Sequence, residues 1–221
     1  TTQHVARWIG NTWVPMGDGL GAPGEVVDCL LVRSNGTLVA GGTFAMGGGL
    51  AVWDGAAWAP FPAPLISGAG LRALAEAHNG DLIVAGSFAI PGSIGTCRIA
   101  RWDGSAWHAY GSNEFERTIS DVAALPDGRV VVSGSFLDAA GLPARRIAHW
   151  NGQAWEPMGE GVRGLENNQF QGNVRCLLAD QGGEVLVGGQ FALAGQVGVS
   201  GLATWRDGLW ARVGSGFNGP V

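Results

Sequence analysis

The chain has 221 residues, a formal net charge of -5 and no lysine, so that all 13 basic residues are arginine. An acidic chain without a run of basic residues lacks the phosphate-binding surface of nucleic-acid proteins and the basic segments that bind anionic membranes. The 39 glycines are spread along the whole chain, and no apolar run approaches the ~18 residues of a membrane-spanning helix.

The first predicted element is a β-hairpin over 5–16, followed by four longer segments of common pattern at 26–62, 70–110, 118–158 and 173–213. In each segment we predict four short strands, named a, b, c and d. In the first segment they cover 27–32, 38–44, 51–53 and 57–60. No window shows a sustained helical period with capping signals, so almost no helix is expected.

Two aromatic positions define the repeat. The tryptophans form pairs with four residues between the two rings: Trp8/Trp13, Trp53/Trp58, Trp102/Trp107, Trp150/Trp155 and Trp205/Trp210. A phenylalanine ends strand b eight residues after a turn glycine, at Phe44, Phe88, Phe136 and Phe191. A fixed pattern with a period of about 45 to 55 residues is typical of propeller blades.

Each long segment contains two turn signals. Strands a and b are separated by Asn35-Gly36, Asn79-Gly80, Asp127-Gly128 or Gly182-Gly183. Because Asn-Gly and Asp-Gly accept the positive φ values of a type I′ turn, we predict that turn between a and b. An Asp-Gly or Asn-Gly between the two tryptophans predicts a second hairpin, of strands c and d.

Four-stranded units in tandem predict an all-β fold: a β-propeller of four-stranded antiparallel blades with about four and a half repeats, as a single domain or propeller fragment over 1–221. The pattern of strand-a Leu, turn Gly, apolar-Gly-Gly-x-Phe and Ile-Ala-x-Trp-Asp-Gly-x-x-Trp resembles the tandem tryptophan-rich propeller repeats of bacterial secreted and surface proteins. It is also similar to the propeller of fungal cortical polarity-marker proteins and, more distantly, to kelch repeats. The resemblance implies a fold and an extracellular or cell-surface setting rather than an activity.

Three arrangements of these repeats stay open. In the first, the hairpins at Trp8/Trp13 and Trp205/Trp210 meet as a composite fifth blade, as in small tryptophan-rich propeller lectins. In the second, the chain is part of a longer propeller. In the third, self-association completes the ring, because unpaired strand edges invite partners.

The repeated positions favour packing over ligand binding. A tryptophan pair can stack on a sugar, but its recurrence in all five copies favours rings that pack between sheets. The small residues of strand b are interpreted as relieving steric crowding where strands or blades come close together. Cys29 and Cys176 share one position, occupied by Asp121 in the third segment, and are interpreted as buried, inert thiols. Histidines without metal-ligand spacing and the lack of a nucleophile motif predict no metal, no cofactor and no catalytic residue.

The loop after Trp155 is the longest between a tryptophan pair and the next strand a. Its candidate binding residues are Glu160, Arg163, Glu166, Asn167, Asn168, Gln169 and Phe170. Amides, charges and one aromatic ring on a loop suit a polar ligand or a protein edge. The alternative is a solvated insertion that binds nothing.

The sequence therefore favours a non-catalytic interaction or scaffold module of an exported or surface protein, which binds through rim loops. The alternative is a carbohydrate-binding propeller lectin with sites between blades. The expected partner is a protein or a glycan, with self-association as a further means of completing the ring. Nucleic-acid binding and membrane insertion are not expected.

Overall fold

Short antiparallel strands make up nearly all of the regular structure. The computed structural model describes residues 4–92, 96–111, 115–164 and 172–214, apart from the side chains of 66–69. The first element is a hairpin of β1 (Ala6–Ile9) and β2 (Thr12–Pro15). This hairpin agrees with the one predicted over 5–16.

Four four-stranded antiparallel sheets follow, each with its strands hydrogen-bonded in the order a, b, c, d. The first sheet consists of β3 (Val26–Val32), β4 (Leu38–Thr43), β5 (Leu50–Trp53) and β6 (Trp58–Pro60). The second consists of β7 (Ile66–Glu76), β8 (Leu82–Ala89), β9 (Cys97–Trp102) and β10 (Trp107–Ala109). In the first sheet every predicted strand end lies within one residue of the observed end.

The last two sheets carry additional short strands in their b-to-c loops. The third sheet contains β11 (Ile119–Ala124) and β12 (Val130–Gly134), then the small hairpin β13 (Asp138–Ala139) and β14 (Leu142–Pro143), then β15 (Ile147–Trp150) and β16 (Trp155–Pro157). After β17 (Val162–Arg163), the fourth sheet contains β18 (Asn173–Ala179), β19 (Val185–Gln190), β22 (Leu202–Arg206) and β23 (Leu209–Arg212), with β20 (Leu193–Ala194) and β21 (Val197–Gly198) in its loop. Strands β17, β20 and β21 form a separate three-stranded sheet.

The prediction of an all-β protein built from four-stranded antiparallel units is confirmed. Within the described ranges the one helical segment is a 3-10 turn at Met46–Gly48. The hairpin of Trp205 and Trp210 is already the outer half of the fourth sheet, because β22 pairs with β19.

The turn between strands a and b is not the predicted type I′ turn. Gly36 has a φ of 81°, whereas Asn35 lies outside the positive-φ region. The N–H of Gly36 donates to Arg33 O and the N–H of Arg33 donates to Thr37 O. These bonds define a three-residue hairpin loop with one left-handed glycine. Asn35 Oδ1 accepts the N–H of Thr37 at 3.0 Å, and this local bond favours a single left-handed residue over two.

The strand-b glycines occupy a crowded position, as the sequence indicated. A Cβ atom added at this position would lie 2.1 to 2.4 Å from a main-chain carbonyl oxygen of strand a, or of the residue just before it, in each of Gly42, Gly86, Gly134 and Gly189. In all four sheets, strand a also shifts its pairing register near this point. Only glycine fits at such a distance, so these residues set how closely strands a and b approach.

The chain divides into two units, and the first comprises Thr1–Glu76 and Leu82–His108. Within it, β7 packs on β3 and β4. The core of this unit includes Val39, Leu71 and Phe88, all almost fully buried. Strand a of the second sheet therefore lies over strands a and b of the first.

The second unit comprises Ala77–Asp81 and Ala109–Val221. Within it, β18 packs on β11 and β12 in the same manner. Its core includes Ile147, Val187 and Phe191. The phenylalanine that ends strand b is buried in all four repeats: Phe44, Phe88, Phe136 and Phe191.

Candidate functional site

The tryptophan pairs of the four-stranded sheets are structural. The two rings of each pair lie 5.0 to 5.5 Å apart in tilted or edge-on orientations. In three of the four sheets, the N–H of the second indole donates to a main-chain carbonyl in the segment that follows the preceding pair: Trp107 to Ala63 at 3.0 Å, Trp155 to Tyr110 at 3.1 Å and Trp210 to Met158 at 2.9 Å. An indole whose N–H is bonded in this way anchors its repeat, and the fully buried Trp155 offers no ring surface to a ligand. The sequence contains no signal for these bonds, because the acceptors are main-chain atoms.

The first pair differs from the other four. Trp8 is 56% exposed and Trp13 is 64% exposed, whereas Trp155, at the position equivalent to Trp13, has no exposed surface. The two exposed rings meet edge-on at 5.4 Å. The prediction that every pair packs between sheets is therefore wrong for this hairpin, because no described strand covers it.

Asp121 links strand a of the third sheet to strand a of the fourth. Its Oδ2 accepts the N–H of Leu177 at 2.7 Å and its Oδ1 accepts the N–H of Val122 at 2.8 Å. Burial raises the pKa of the Asp121 carboxyl, while these two main-chain donors act in the opposite direction. Both carboxylate oxygens accept main-chain hydrogen bonds within the fold. Asp121 therefore connects two strands and is not a free acid.

The cysteines differ in environment. Burial raises the pKa of the Cys97 thiol, whose Sγ donates to Ile99 O at 3.0 Å. Cys29 is half-buried, and Cys176 is exposed. The expectation of a buried thiol is therefore wrong for Cys176, because the strand packed on this strand a covers its other face.

Two described histidines have a carboxylate neighbour, and each belongs to a turn or a strand. His108 Nε2 lies 2.6 Å from Asp103 Oδ2, beside the turn between Trp102 and Trp107. Burial lowers the pKa of His149, although Glu156 at 3.3 Å opposes this effect. In the ranges that the structure describes, no group of three or more His, Cys, Asp or Glu side chains could hold a metal ion.

The candidate site is a polar cluster around Glu160, at the start of the long loop. Glu160 Oε1 accepts the Nε2 amide N–H of Gln196. Its Oε2 lies 3.7 Å from Arg163 Nη2 and 3.9 Å from Arg145 Nη1. We call Arg145, Glu160, Arg163 and Gln196 the Glu160 cluster. Three separate loops of the second unit thus supply side chains around a single, partly exposed carboxylate.

Main-chain bonds fix these loops. The N–H of Val162 donates to Arg145 O at 3.1 Å, and the N–H of Gly195 donates to Gly161 O at 2.8 Å. Gly161 is required here, since an added Cβ would lie 2.4 Å from Ala144 O. Strands β17 and β20 pair alongside, which joins the long loop to the b-to-c loop of the fourth sheet.

The main chain beside the cluster is strained. Arg145 has a φ of 41° and Arg146 a φ of 78°, so two consecutive non-glycine residues adopt left-handed conformations. Each such residue costs of order 1 kcal/mol and is retained where the surrounding structure enforces it. Burial lowers the pKa of Arg146, and the charge of Arg117 lowers it further. Strain and positive charge are thus concentrated at the same edge of the unit.

Of the candidate binding residues, the structure brings Glu160 and Arg163 together. Glu166, Asn167, Asn168, Gln169 and Phe170 lie outside the described residues. Arg145 and Gln196 were missed by sequence reasoning, because they belong to b-to-c loops that are distant in sequence. The doublet Arg145-Arg146 in a loop was a signal for this edge, but its conformation was not readable from the sequence.

No protein-family model matches the chain, and no curated protein sequence matches it. Solved structures with a similar arrangement include the extracellular domain of a B. thetaiotaomicron protein described as a hybrid two-component system, at 17% identity and a TM-score of 0.45. That match covers 83% of this chain and 20% of the other. PorZ, a surface component of the type-IX secretion system of Porphyromonas gingivalis, is similar at 15% identity and a TM-score of 0.44, over 73% of this chain and 24% of PorZ.

A catalytically inactive virginiamycin B lyase from Staphylococcus aureus, in a crystal structure with quinupristin, is similar at 12% identity and a TM-score of 0.46. That match covers 88% of this chain and 58% of the lyase. The chain spans less than two thirds of the length of each of these three proteins. Within its own described residues, no helix is long and apolar enough to cross a membrane.

Proposed function

We propose that the chain is a non-catalytic β-propeller module of an exported or surface protein, and that it binds a protein partner through the Glu160 cluster and the adjoining loop. The propeller assignment is supported by four consecutive sheets with the same strand order. It is also supported by the way strand a of one sheet covers strands a and b of the preceding sheet in both units. Radial packing of such sheets buries both faces of each one.

The observation that carries the binding proposal is the convergence of three loops on Glu160. Two guanidinium groups share this carboxylate at 3.7 and 3.9 Å, beyond ordinary hydrogen-bond length. The planar guanidinium group of Arg145, which is partly exposed, is suited to carboxylates and main-chain carbonyls. Binding residues on loops fixed by a rigid β scaffold are the usual arrangement in proteins of this architecture.

The non-catalytic part of the proposal is supported by how the described acidic groups are used. Asp54 and Asp103 accept N–H groups within their own turns, and Asp121 accepts two main-chain N–H groups at a sheet junction. A general acid or base needs an ionisable group free to contact a substrate. The carboxylates of Asp54, Asp103 and Asp121 already accept hydrogen bonds from main-chain N–H groups of the fold.

The binding proposal is tested with two conservative variants. Arg145→Asn keeps a residue that tolerates positive φ, and Glu160→Gln keeps an acceptor for Gln196. Proteins exported by the source cell are captured on the immobilised chain and quantified by mass spectrometry. We expect one partner that is retained by the unmodified chain and lost with both variants.

The matched control is Arg129→Gln, which removes a partly exposed turn arginine paired with Asp127 at 2.7 Å in the same unit. This variant should retain the partner. Unchanged melting temperatures establish that all three variants are folded. Equal capture by all forms of the chain would contradict the proposal.

The exposed Trp8 and Trp13 support a second candidate function, carbohydrate binding. A lectin of this kind would have one accessible aromatic site, at the first hairpin, and not one site per sheet. Binding on a glycan array should then quench tryptophan fluorescence and disappear in Trp13→Ala, while Trp107→Ala retains it in any folded form. Lack of binding across a broad array would exclude this alternative.

A further inference from the structure

In the first, third and fourth sheets, the residue before strand c makes the same main-chain bond. Its carbonyl accepts the N–H of the crowded strand-b glycine: Gly49 from Gly42 at 3.0 Å, Arg146 from Gly134 at 3.0 Å and Gly201 from Gly189 at 2.9 Å. The three accepting residues have positive φ values of 90°, 78° and 75°. The first and fourth sheets use glycine at this position, whereas the third sheet uses arginine.

Arginine is an unfavourable residue at this position. A positive φ is readily adopted by glycine, but it strains a residue that has a Cβ atom. Arg145, the preceding residue, is strained in the same way. Strained residues of this kind cluster at binding and active sites, where the side chain has a role. The conformation therefore indicates a use for the Arg146 side chain, since the main-chain bond itself needs only a glycine.

A second arginine lies on the other side of strand b. Thr118 O accepts the N–H of Ser135 at 3.1 Å, which places Arg117 beside the end of strand b. On the opposite side of that strand, Arg146 O accepts the N–H of Gly134. Burial lowers the pKa of Arg146 and the charge of Arg117 lowers it further, as expected for two guanidinium groups that repel each other.

The two guanidinium groups form a surface that suits an anion. Arg146 is partly exposed, and Arg117 is 64% exposed. Glu116 lies 4.0 Å from Arg117, but an ion pair between two side chains so exposed is weak. An anion that contacts both guanidinium groups relieves their repulsion, and a carboxylate matches the paired N–H donors of each group.

We propose that Arg117 and Arg146 bind carboxylates of an acidic peptide segment. This inference rests on the proposed function, because it names the chemistry of the protein that binds at the Glu160 cluster. Glu116, Asp138 and Glu160 belong to the segments that carry these arginines, so they disfavour a ligand with anionic groups alone, such as a sulfated glycan. A peptide offers main-chain N–H donors to these carboxylates as well as acidic side chains to the arginines.

The probe is an acetylated, fluorescently labelled hexaglutamate peptide. It is titrated into the full chain at low ionic strength, and binding is measured by fluorescence anisotropy. We expect saturable one-to-one binding that weakens as salt is added, because salt screens exposed charges. A hexaglutamine peptide with the same label is the neutral control and should not bind.

Arg146→Gly is the sharpest variant, because the first and fourth sheets use glycine at this position. It should weaken hexaglutamate binding by about tenfold. Its melting temperature should stay the same or rise by about 2 to 4 °C, since strain is relieved. Arg117→Gln should weaken binding by a similar factor. Arg129→Gln is the matched control: it removes one positive charge at the opposite end of strand b and should leave binding unchanged.

Four results would overturn the proposal. One is no hexaglutamate binding at about 1 mM peptide. Another is a fall of about 2 °C or more in the melting temperature of Arg146→Gly, because the arginine would then serve the fold. A third is an equal loss of binding with Arg129→Gln, since net charge alone would then account for it. The last is a preference for heparin over hexaglutamate that Arg146→Gly removes, which would assign the arginines to a sulfated glycan.

These outcomes are distinct from those that test the proposed function. If Arg145→Asn and Glu160→Gln abolish partner capture while Arg146→Gly retains it, and hexaglutamate does not bind, the proposed function stands and the acidic partner is wrong. If hexaglutamate binds through Arg146 but no partner is captured, the carboxylate site is present and the proposed function fails.

Discussion

Leu74 and Leu30 hold the same repeat position in neighbouring sheets of the first unit, yet their environments differ. Leu74 packs against Gly41 on the preceding sheet, whereas Leu30 is 53% exposed. The sequence signal is the same at both sites. The free energy gained from burial depends on apolar area removed from water, so a repeated leucine stabilises the fold only where a second sheet covers it. Residues at the same repeat position therefore do not contribute equally to the stability of the fold.

The largest expected effect on stability is the difference between replacing a buried tryptophan and replacing an exposed one. Trp155→Ala removes a fully buried ring that contacts Tyr110 and Phe115. It should lower the free energy of unfolding by about 3 to 5 kcal/mol. Trp13→Ala, at the equivalent exposed position, should cost about 1 kcal/mol or less, chiefly through its contact with Trp8. Urea unfolding measures both, and equal losses would show that the first hairpin is covered in solution.

A methyl group at a crowded glycine gives the next effect. Gly134→Ala places a Cβ 2.2 Å from Thr118 O, so strands a and b of the third sheet must separate. The expected loss is about 1 to 3 kcal/mol, the usual cost of overpacking. Gly182→Ala is the control, because its nearest atom would be the Asp180 side chain at 3.3 Å and its φ is not positive. If both variants melt at the same temperature, strand b has room that the structure does not show.

The two leucines test the comparison directly. Leu74→Ala should lower the free energy of unfolding by about 2 kcal/mol, at the low end for a leucine because the residue is only partly buried. Leu30→Ala should change it by about 0.5 kcal/mol or less, as at other exposed sites. Thermal unfolding at one pH is sufficient for this measurement. A cost at Leu30 equal to that at Leu74 would indicate that its face is already occupied.

The smallest effect is a pH dependence of opposite sign at two aspartates. Burial raises the folded-state pKa of Asp121, so its contribution to stability is present below the ordinary value of 3.8 and is lost as the pH rises through the folded-state pKa. Hydrogen bonds from the N–H groups of Ala57 and Ala56 lower the pKa of Asp54, so its contribution is present above 3.8 and lost on acidification.

Relative to the parent chain, Asp121→Asn should therefore be less stable at pH 4 than at pH 7, and Asp54→Asn should show the reverse. Asn151, which makes the same two turn bonds in the third sheet, shows that asparagine fits the Asp54 position. Melting temperatures across this pH range provide the measurement. The same slope in both variants would contradict the assignment of Asp121 to a partly desolvated junction.

Local sequence chemistry predicted the strands well. The positions of Phe44 and of the paired tryptophans predicted the ends of every strand of the first sheet to within one residue. This succeeded because residue alternation and turn residues determine structure over short distances. The turn type was predicted wrongly. A side-chain bond from Asn35 to the N–H of Thr37 stabilised a loop with one left-handed residue, and the dipeptide alone does not distinguish the two loops.

The candidate site was only partly predictable. Loop length identified Glu160 and Arg163, but Arg145 and Gln196 reach Glu160 from loops that are far away in sequence. Their approach depends on the pairing of β17 with β20 and on the main-chain bond from Val162 to Arg145. Such contacts follow from sheet packing and have no local signature.

The sequence by itself determined the strand units, their antiparallel hairpins and the crowded glycines, because these depend on backbone sterics and residue alternation over a few positions. Only the tertiary structure decided which copies of each repeated residue are buried. Leu74 and Trp155 are covered, while Leu30 and Trp13 are exposed. The physical reason is that burial requires two surfaces, and a sequence repeat specifies only one of them.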